Sequence, residues 1–405
     1  MTVRQYISVL RAAGRIPLEC SPRIVWKFMR NFGMRNVANI RRFEKRQKEG
    51  KPFFPAFVMI SVTERCNLSC SGCWVSSGGK KRLSPRQLDG IIAGCKRKGS
   101  YFFGILGGEP VMYPELTEVL SHHPDCYFQL FTNGTLLTDE VAAGLKRLGN
   151  VTPMISIEGL EAESDARRGR SDVFRRTLDG VRACRKARLI IGAAASIGKS
   201  NFRELVNRDY IRFLAKEGVH YLWYYIYRPT GAEPKPENAL DRDGISELRR
   251  FIVEQRTDAP LQLIDAYWDD RGNALCPGAV GLSHHISPAG ALEFCPPLQL
   301  AKDFIDDEGS NVAELFENSG FLSGMRRLAS GASRGCILLE NPSLALRFAL
   351  EQGARDTTSR GTVVAEMLQM PTLPGHDMKG EEIPEKNTFY RLMKKYYFFG
   401  FGAYG

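Results

Sequence analysis

From residue 56 onward the sequence alternates short apolar runs with amphipathic stretches, and this alternation restricts the fold more than any other feature. Apolar runs occur at 56–62, 101–106, 127–132, 152–157, 189–197 and 221–227, and the stretches 84–98, 138–148, 172–186 and 202–217 read as helices. Strands that are apolar throughout are buried on both faces, which is what helices crossing between parallel strands accomplish. The expectation is an α/β fold with a parallel sheet built of βαβ units. Function in parallel α/β barrels sits at the C-terminal ends of the strands. The residues that follow each run are therefore where chemistry is to be sought.

The first run leads into Cys66-Asn67-Leu68-Ser69-Cys70-Ser71-Gly72-Cys73. Three thiolates on one loop are one short of the four that saturate a [4Fe–4S] cluster or a structural zinc, so a coordination position stays open. A zinc knuckle completed by a distant residue is the alternative use. The second run ends in Gly107-Gly108-Glu109-Pro110, whose two glycines let a ligand approach the backbone. The third ends in the polar turn Thr132-Asn133-Gly134-Thr135. On the fourth, Ser156 and Glu158 fall on one face, as a period of two requires, and polar groups pointing inward need a partner. Arginines crowd the stretch that follows, at Arg167, Arg168 and Arg170. Ser196 and Asn201 follow the fifth run, where a helix cap explains Ser200 and Asn201 equally well. The sixth run, 221–227, is strongly aromatic, which fits a cavity wall or plain barrel packing. Its proline-rich exit, 228–236, reads as a domain boundary.

The C-x3-C-x2-C pattern after a first strand resembles the radical S-adenosylmethionine (SAM) superfamily. The resemblance implies a partial (β/α)6 TIM-type barrel, with Cys66, Cys70 and Cys73 holding a [4Fe–4S] cluster whose fourth iron takes the amino and carboxylate groups of SAM. It implies that Gly107, Gly108, Glu109 and Pro110 hold the SAM amino group and that Asn133 lies on the SAM side of the barrel. Ser156 and Glu158 would meet the ribose, Arg168 the SAM carboxylate, and Ser196 the adenine and ribose pocket. One departure is visible: the family has an aromatic residue before the third cysteine, and here that position is Gly72, with Trp74 after Cys73.

In the C-terminal third, Cys276 is followed by Gly290 and then Cys295, with 286–294 reading as a hairpin that brings the two cysteines together. This spacing resembles the opening half of the SPASM/Twitch extension of many radical SAM enzymes. One cysteine follows, Cys336, too few for the two-cluster version. A Twitch-like domain with one auxiliary [4Fe–4S] cluster on Cys276, Cys295 and Cys336 is the expectation, its fourth position open to substrate or filled by His284, His285 or a carboxylate. A pair of buried thiols beside a hairpin is the plainer reading. Cys20, Cys95, Cys126 and Cys184 are isolated and read as small packed hydrophobes. No motif stands out between 341 and 386.

Of the net charge of +11, residues 1–52 carry thirteen Lys/Arg against three acids, and residues 386–405 add four basic residues with no acid. The body between is slightly acidic. Within 21–48, Ile24, Trp26, Phe28, Met29, Phe32, Val37 and Ile40 interleave with arginine and lysine as a basic amphipathic helix or two, and 390–401 repeats the theme. Such segments suit an anionic membrane surface, or they pack on the body with their charges solvated. No folded nucleic-acid motif is present. Ten cysteines without a signal peptide fit a reducing cytosol, and no apolar run is long enough to cross a membrane. The location expected is cytoplasmic, with peripheral contact at the inner membrane face as an option.

The divisions expected are 1–52, a basic helical segment; 53–235, the barrel; 236–345, the Twitch-like domain; and 346–405, a C-terminal segment ending in a basic aromatic tail. The function implied is reductive cleavage of SAM to a 5′-deoxyadenosyl radical that abstracts hydrogen from a peptide or a lipid-like, membrane-associated metabolite. An electron donor such as flavodoxin or ferredoxin would be the partner. A non-catalytic iron–sulfur carrier or sensor is the alternative, against which the SAM-pocket motifs speak.

Overall fold

The computed structural model describes residues 14–75 and 78–396. Its centre is a sheet whose strands are β1 (Phe57–Ser61), β2 (Phe102–Leu106), β3 (Tyr127–Thr132), β4 (Val151–Ser156), β5 (Gly192–Ile197), β6 (Tyr221–Ile226), β7 (Gln262–Asp265), β8 (Ser283–Ile286) and β9 (Leu292–Glu293). Their order is β7-β6-β5-β4-β3-β2-β1-β8-β9, parallel from β7 through to β8, with β9 antiparallel to β8. The six apolar runs are β1 to β6, each within a few residues of its expected bounds. The sheet then continues in both directions: β7 adds beside β6, and β8 adds beside β1 with Phe57 opposite Ser283. The hairpin expected over 286–294 is β8–β9.

The crossover helices begin where their caps predict. Ser84 accepts from the Gln87 N–H while Gln87 reaches back to the Ser84 N–H, a reciprocal pair that starts the helix Pro85–Arg97. Thr138 caps Asp139–Leu148 by a single bond, its hydroxyl accepting from the Val141 N–H. One expectation fails here. The stretch 202–217 is two helices, Phe202–Leu205 and Arg208–Glu217, because the Asn207 side chain accepts from the Asp209 N–H and starts a new helix.

The basic N-terminal stretch is helical across Pro22–Lys27 and Arg35–Lys48, joined by a wider π-helical turn, Phe28–Met34. That turn, which contains the poor helix former Gly33, was not foreseen as a break from α geometry. It aims Phe28 and Phe32 inward. Phe28 packs edge-on against Tyr127 at 5.4 Å and Phe32 against Phe102 at 4.9 Å, so both cover the N-terminal ends of β2 and β3. Asn31 donates to the Pro124 and Cys126 carbonyls and Asn39 to that of Ala56, fixing the segment to the barrel base. The opposite face of the segment stays in water, with Trp26 61 %, Met29 54 % and Met34 58 % exposed.

The C-terminal helix, Thr388–Tyr396, docks on the same base. Lys394 is buried and donates to Asp265 at 2.6 Å, and Asp265 also receives Arg249 at 3.0 Å and Arg256 at 2.8 Å. Arg256 pairs in addition with Glu385. All five groups are essentially without solvent exposure. The three cations hold the Asp265 carboxyl far below the usual carboxylate range despite its burial. Part of the expected basic tail is thus a structural ion cluster; residues 397–401 of that tail lie outside the described residues. No described helix is long and apolar enough to cross a membrane.

Removing one member of a buried ion cluster leaves the others unpaired, which costs about 3–5 kcal/mol. Asp265→Asn is expected to lower stability by that amount in chemical denaturation. Leu392→Ala, at a position 52 % exposed on the docked helix, is expected to leave stability within about 0.5 kcal/mol. Equal effects of the two would show that the cluster does not anchor the C-terminus.

Candidate functional site

The C-terminal strand ends meet around a cavity of about 290 Å³ lined by Cys66, Cys70 and Cys73, by Gly107 and Gly108, and by Asn133, Ser156, Glu158, Arg168 and Ser196. Residues from the ends of five strands thus converge on one space. Glu109 and Pro110 do not line it. Glu109 is fully buried behind the wall and accepts from the Thr132 hydroxyl at 2.7 Å, the Asn133 N–H at 2.8 Å and the Val111 N–H at 3.1 Å. Burial pushes its carboxyl upward, and these three donors act in the opposite direction. Its role is to fasten the β2 loop to the β3 loop.

The β2 loop is also fastened to the cysteine loop. The Gly108 N–H donates to the Thr63 carbonyl at 2.7 Å and the Glu109 N–H to that of Arg65 at 2.8 Å. A Cβ at Gly108 would run into the carbonyls of Glu64 and Arg65. Backbone meets backbone here, which only glycine permits. Asn133 completes the circuit: its amide donates to Asn67 at 2.9 Å and stands 3.9 Å from the Cys66 sulfur.

Gly72 has an equally local reason. A Cβ there would collide with the Tyr227 hydroxyl. The ring of Tyr227, which follows β6, fills the space beside the third cysteine and lines the cavity. The aromatic group missing at Gly72 is supplied from across the barrel.

On the β4 and β5 side, Glu158 is ion-paired with Arg167 and lies 3.8 Å from Arg168. Arg168 donates to the Ser156 carbonyl at 3.1 Å and reaches within 3.8 Å of the Cys70 sulfur; Arg167 donates to the Ser196 carbonyl at 3.0 Å. Two arginines, not one, serve this side, which the dense local run concealed. Asn201 lies behind it, donating to the Glu158 and Ser196 carbonyls.

Cys276, Cys295 and Cys336 line a second, smaller cavity. The β8–β9 hairpin delivers Cys295, and Cys336 precedes the short helix Ile337–Glu340. Arg228 and Pro297 line both cavities, so the two cysteine sets are separated by one wall. The Arg228 Nε–H points at the Cys336 sulfur at 3.3 Å, and its guanidinium sits over the Tyr267 ring. Arg228 was passed over in the sequence as part of a linker, although its place just after β6 was the available signal. His284 and His285 do not reach this cavity. His284 bonds the Phe294 carbonyl among Phe53 and Phe316, and His285 bonds Ser61 and Glu293. His285 is thus spent on the packing of β8, and the His284 Nε2, buried without a hydrogen-bond partner, lies away from this cavity. Cys20, Cys95, Cys126 and Cys184 are fully buried in the apolar core.

The donor sets, three thiols each, fit iron–sulfur clusters. Three cysteines line each cavity, and thiolates are the ligands that hold iron–sulfur clusters. Burial pushes the Cys66 thiol up to about 12 and that of Cys276 up to about 11, and neighbouring sulfurs push in the same direction. Such sulfurs ionise only when a cationic centre joins them.

Residues 60–198 match the family model described as Radical SAM superfamily. The chain is 29% identical over 217 residues to the AdoMet-dependent heme synthase of Methanosarcina barkeri, an alignment covering 52% of this chain and 61% of that one. It is 26% identical over 258 residues to the sporulation killing factor maturation protein SkfB of Bacillus subtilis, covering 62% and 58%. The chain thus spans about three fifths of the length of these relatives. The structure of Streptococcus suis SuiB bound to S-adenosylmethionine superposes with a TM-score of 0.59 at 17% identity, covering 72% of each chain, which shows a shared fold. The cysteine loop and the strand-end motifs of β1 to β5 thus lie in a radical SAM domain, residues 60–198, and the second cysteine set lies outside it.

Proposed function

We propose that this protein is a radical SAM enzyme with two [4Fe–4S] clusters, one on Cys66, Cys70 and Cys73 and one on Cys276, Cys295 and Cys336. The observation that carries this reading is the convergence of the first three cysteines with Gly107, Gly108, Ser156, Glu158 and Arg168 on one cavity. The chemistry supplied there is reductive cleavage of SAM to methionine and a 5′-deoxyadenosyl radical that takes hydrogen from a substrate C–H bond. The protein's own residues bind and orient. The Gly107-Gly108 backbone receives the SAM amino group, Glu158 and Ser156 hold the ribose, Arg168 offers its guanidinium to the carboxylate, and Tyr227 closes the space beside Cys73. Phe131, Tyr225 and Ile226 give the cavity apolar walls that keep water from a reactive intermediate. A low-potential donor such as flavodoxin or ferredoxin supplies the electron.

A carrier or sensor would have no use for this pocket, and the assay separates the two. Anaerobically reconstituted protein with SAM and dithionite is expected to form 5′-deoxyadenosine, measured by mass spectrometry, and Cys70→Ala to form none above background. Glu158→Gln weakens a charged hydrogen bond worth about 1.5–3 kcal/mol, so it is expected to raise the SAM concentration for half-maximal rate about tenfold. No 5′-deoxyadenosine from the wild type would sink the enzymatic reading.

Of the two substrate classes, a peptide fits better. SkfB is a maturation protein, and the membrane-like features of this chain lie at the wrong end of the barrel for a lipid. The cavity opens at the C-terminal strand ends, whereas Trp26, Met29, Met34 and Leu392 are exposed around the base, beside Arg23, Arg30, Arg41 and Arg42. A second cavity of about 290 Å³, almost wholly apolar, lies under this base between Phe28, Phe32, Tyr127 and Met393. We infer peripheral contact of the base with anionic lipid, the apolar groups inserting and the arginines meeting headgroups. In flotation with phosphatidylserine-containing vesicles the protein is expected to rise with the lipid, and Trp26→Ala/Met29→Ala to rise less. No retention by the wild type would end this inference.

A further inference from the structure

We propose that His376 is the fourth ligand of the auxiliary cluster, bound through Nδ1. The inference rests on the reading of Cys276, Cys295 and Cys336 as cluster ligands. It comes from a residue in the stretch of sequence that carries no motif.

His376 is 2 % exposed and lines the same cavity as the three cysteines. Its Nε2 stands 3.1 Å from the Leu275 carbonyl. A carbonyl only accepts, so Nε2 carries the proton and Nδ1 presents a bare lone pair. That Nδ1 is buried and has no hydrogen-bond partner. A neutral imidazole whose other nitrogen is tied to a backbone carbonyl is the form in which histidine binds a metal. An orphaned buried nitrogen otherwise carries a desolvation penalty with no return.

The ring is also immobilised. Tyr267 packs at 4.7 Å and Trp268 at 5.9 Å, centroid to centroid, and the Trp268 indole N–H donates to the His376 carbonyl at 2.9 Å. The neighbouring chain is bolted to the segment that carries Cys336. Arg334 grips both carboxylate oxygens of Asp377 at 3.1 Å through Nε, and the Leu373 N–H donates to the Leu339 carbonyl at 2.8 Å. A Cβ at Gly375 would collide with Glu340. The third cysteine and the histidine therefore arrive as one unit.

No other group around the cavity suits. Arg228 has donors only, and the remaining lining residues, Pro277, Gly278, Phe294, Pro297, Ile337 and Leu338, offer no side-chain lone pair. Among the described residues no carboxylate lines it. A bound histidine would close the coordination of the auxiliary cluster, leaving substrate to react on the SAM side of Arg228 and assigning the second cluster to electron transfer.

The test uses full-length protein reconstituted anaerobically, reduced, without SAM, with histidine labelled by nitrogen-15. Pulsed EPR of the wild type is expected to show a directly bound nitrogen whose hyperfine pattern changes with the isotope. In His376→Ala that coupling is expected to disappear. His376→Cys is expected to keep about eight irons per chain, the sum of two [4Fe–4S] clusters, with altered g-values and no nitrogen coupling. Absence of the coupling in a wild type that holds about eight irons, or its persistence in His376→Ala, overturns the proposal alone. About four irons in the wild type, unchanged by Cys276→Ala/Cys295→Ala, overturns it together with the auxiliary-cluster reading. The labelled wild type decides the matter even if a variant fails to fold.

Discussion

The site depends on a carboxylate that never meets water. Glu109 is held by the hydroxyl of Thr132 and the N–H groups of Asn133 and Val111, and leaving it without them would strand a buried acid. Its own backbone N–H is tied to Arg65, one residue before Cys66. One residue, through its side chain and its backbone, thereby fixes the relative positions of the loops after β1, β2 and β3. The cysteine loop is short and has little secondary structure of its own, so it takes its shape from these ties. Gly108 belongs to the same device, since any side chain there would push the Glu64 and Arg65 carbonyls, and Cys66 with them, away from the β2 loop. The motif residues that do not line the cavity are the ones that make its lining rigid.

The same logic explains which parts of the molecule were legible. Buried parallel strands must be apolar throughout, so β1 to β6 stood out as runs, and a parallel sheet puts its chemistry at predictable strand ends. Ser156, Glu158 and Ser196 could be named because position along a strand selects the face. What the sequence could not display were partners brought together by packing at long range. Tyr227 takes the space left by Gly72 across more than 150 residues, and neither residue hints at the other. His376 has an undistinguished neighbourhood in the chain; its place is set by Arg334 and Asp377, an exposed-looking pair of charges until folding brings them into contact. The histidines that did look promising, His284 and His285, lie on β8, a strand buried on both faces, where His285 bonds Ser61 and Glu293 and the His284 ring packs among Phe53, Phe294 and Phe316.

The two basic ends show how little net charge says about where charges go. Lys394 sits in the densest ion cluster of the described chain, and Lys27 donates to the Leu148 carbonyl at 2.6 Å. Both looked like surface charge in the sequence. What distinguishes Lys394 is that Asp265 closes the edge strand β7, where Arg249 and Arg256 from the preceding helix, Arg242–Gln255, and its cap already converge. A third cation from the C-terminus completes a set that two arginines leave open toward solvent. The amphipathic N-terminal segment divides along its own faces: Phe28 and Phe32 pack on the barrel, and Trp26, Met29 and Met34 remain more than half exposed.

Arg228 joins the two halves of the proposed chemistry. It follows β6, lines the SAM-side cavity, and directs its Nε–H at Cys336. A donor to a cluster sulfur stabilises the more reduced, more negative state, because the hydrogen bond strengthens as negative charge accumulates on sulfur. The same guanidinium forms part of the wall against which a substrate would rest. A substrate radical formed beside it would have the second cluster one side chain away, across a wall that includes Pro297 and Arg228. That geometry favours passing an electron across the wall over direct ligation of substrate. A histidine closing the cluster from the far side, on a ring clamped by Tyr267 and Trp268, belongs to the same arrangement: a centre whose coordination is complete has one remaining task, which is to exchange electrons.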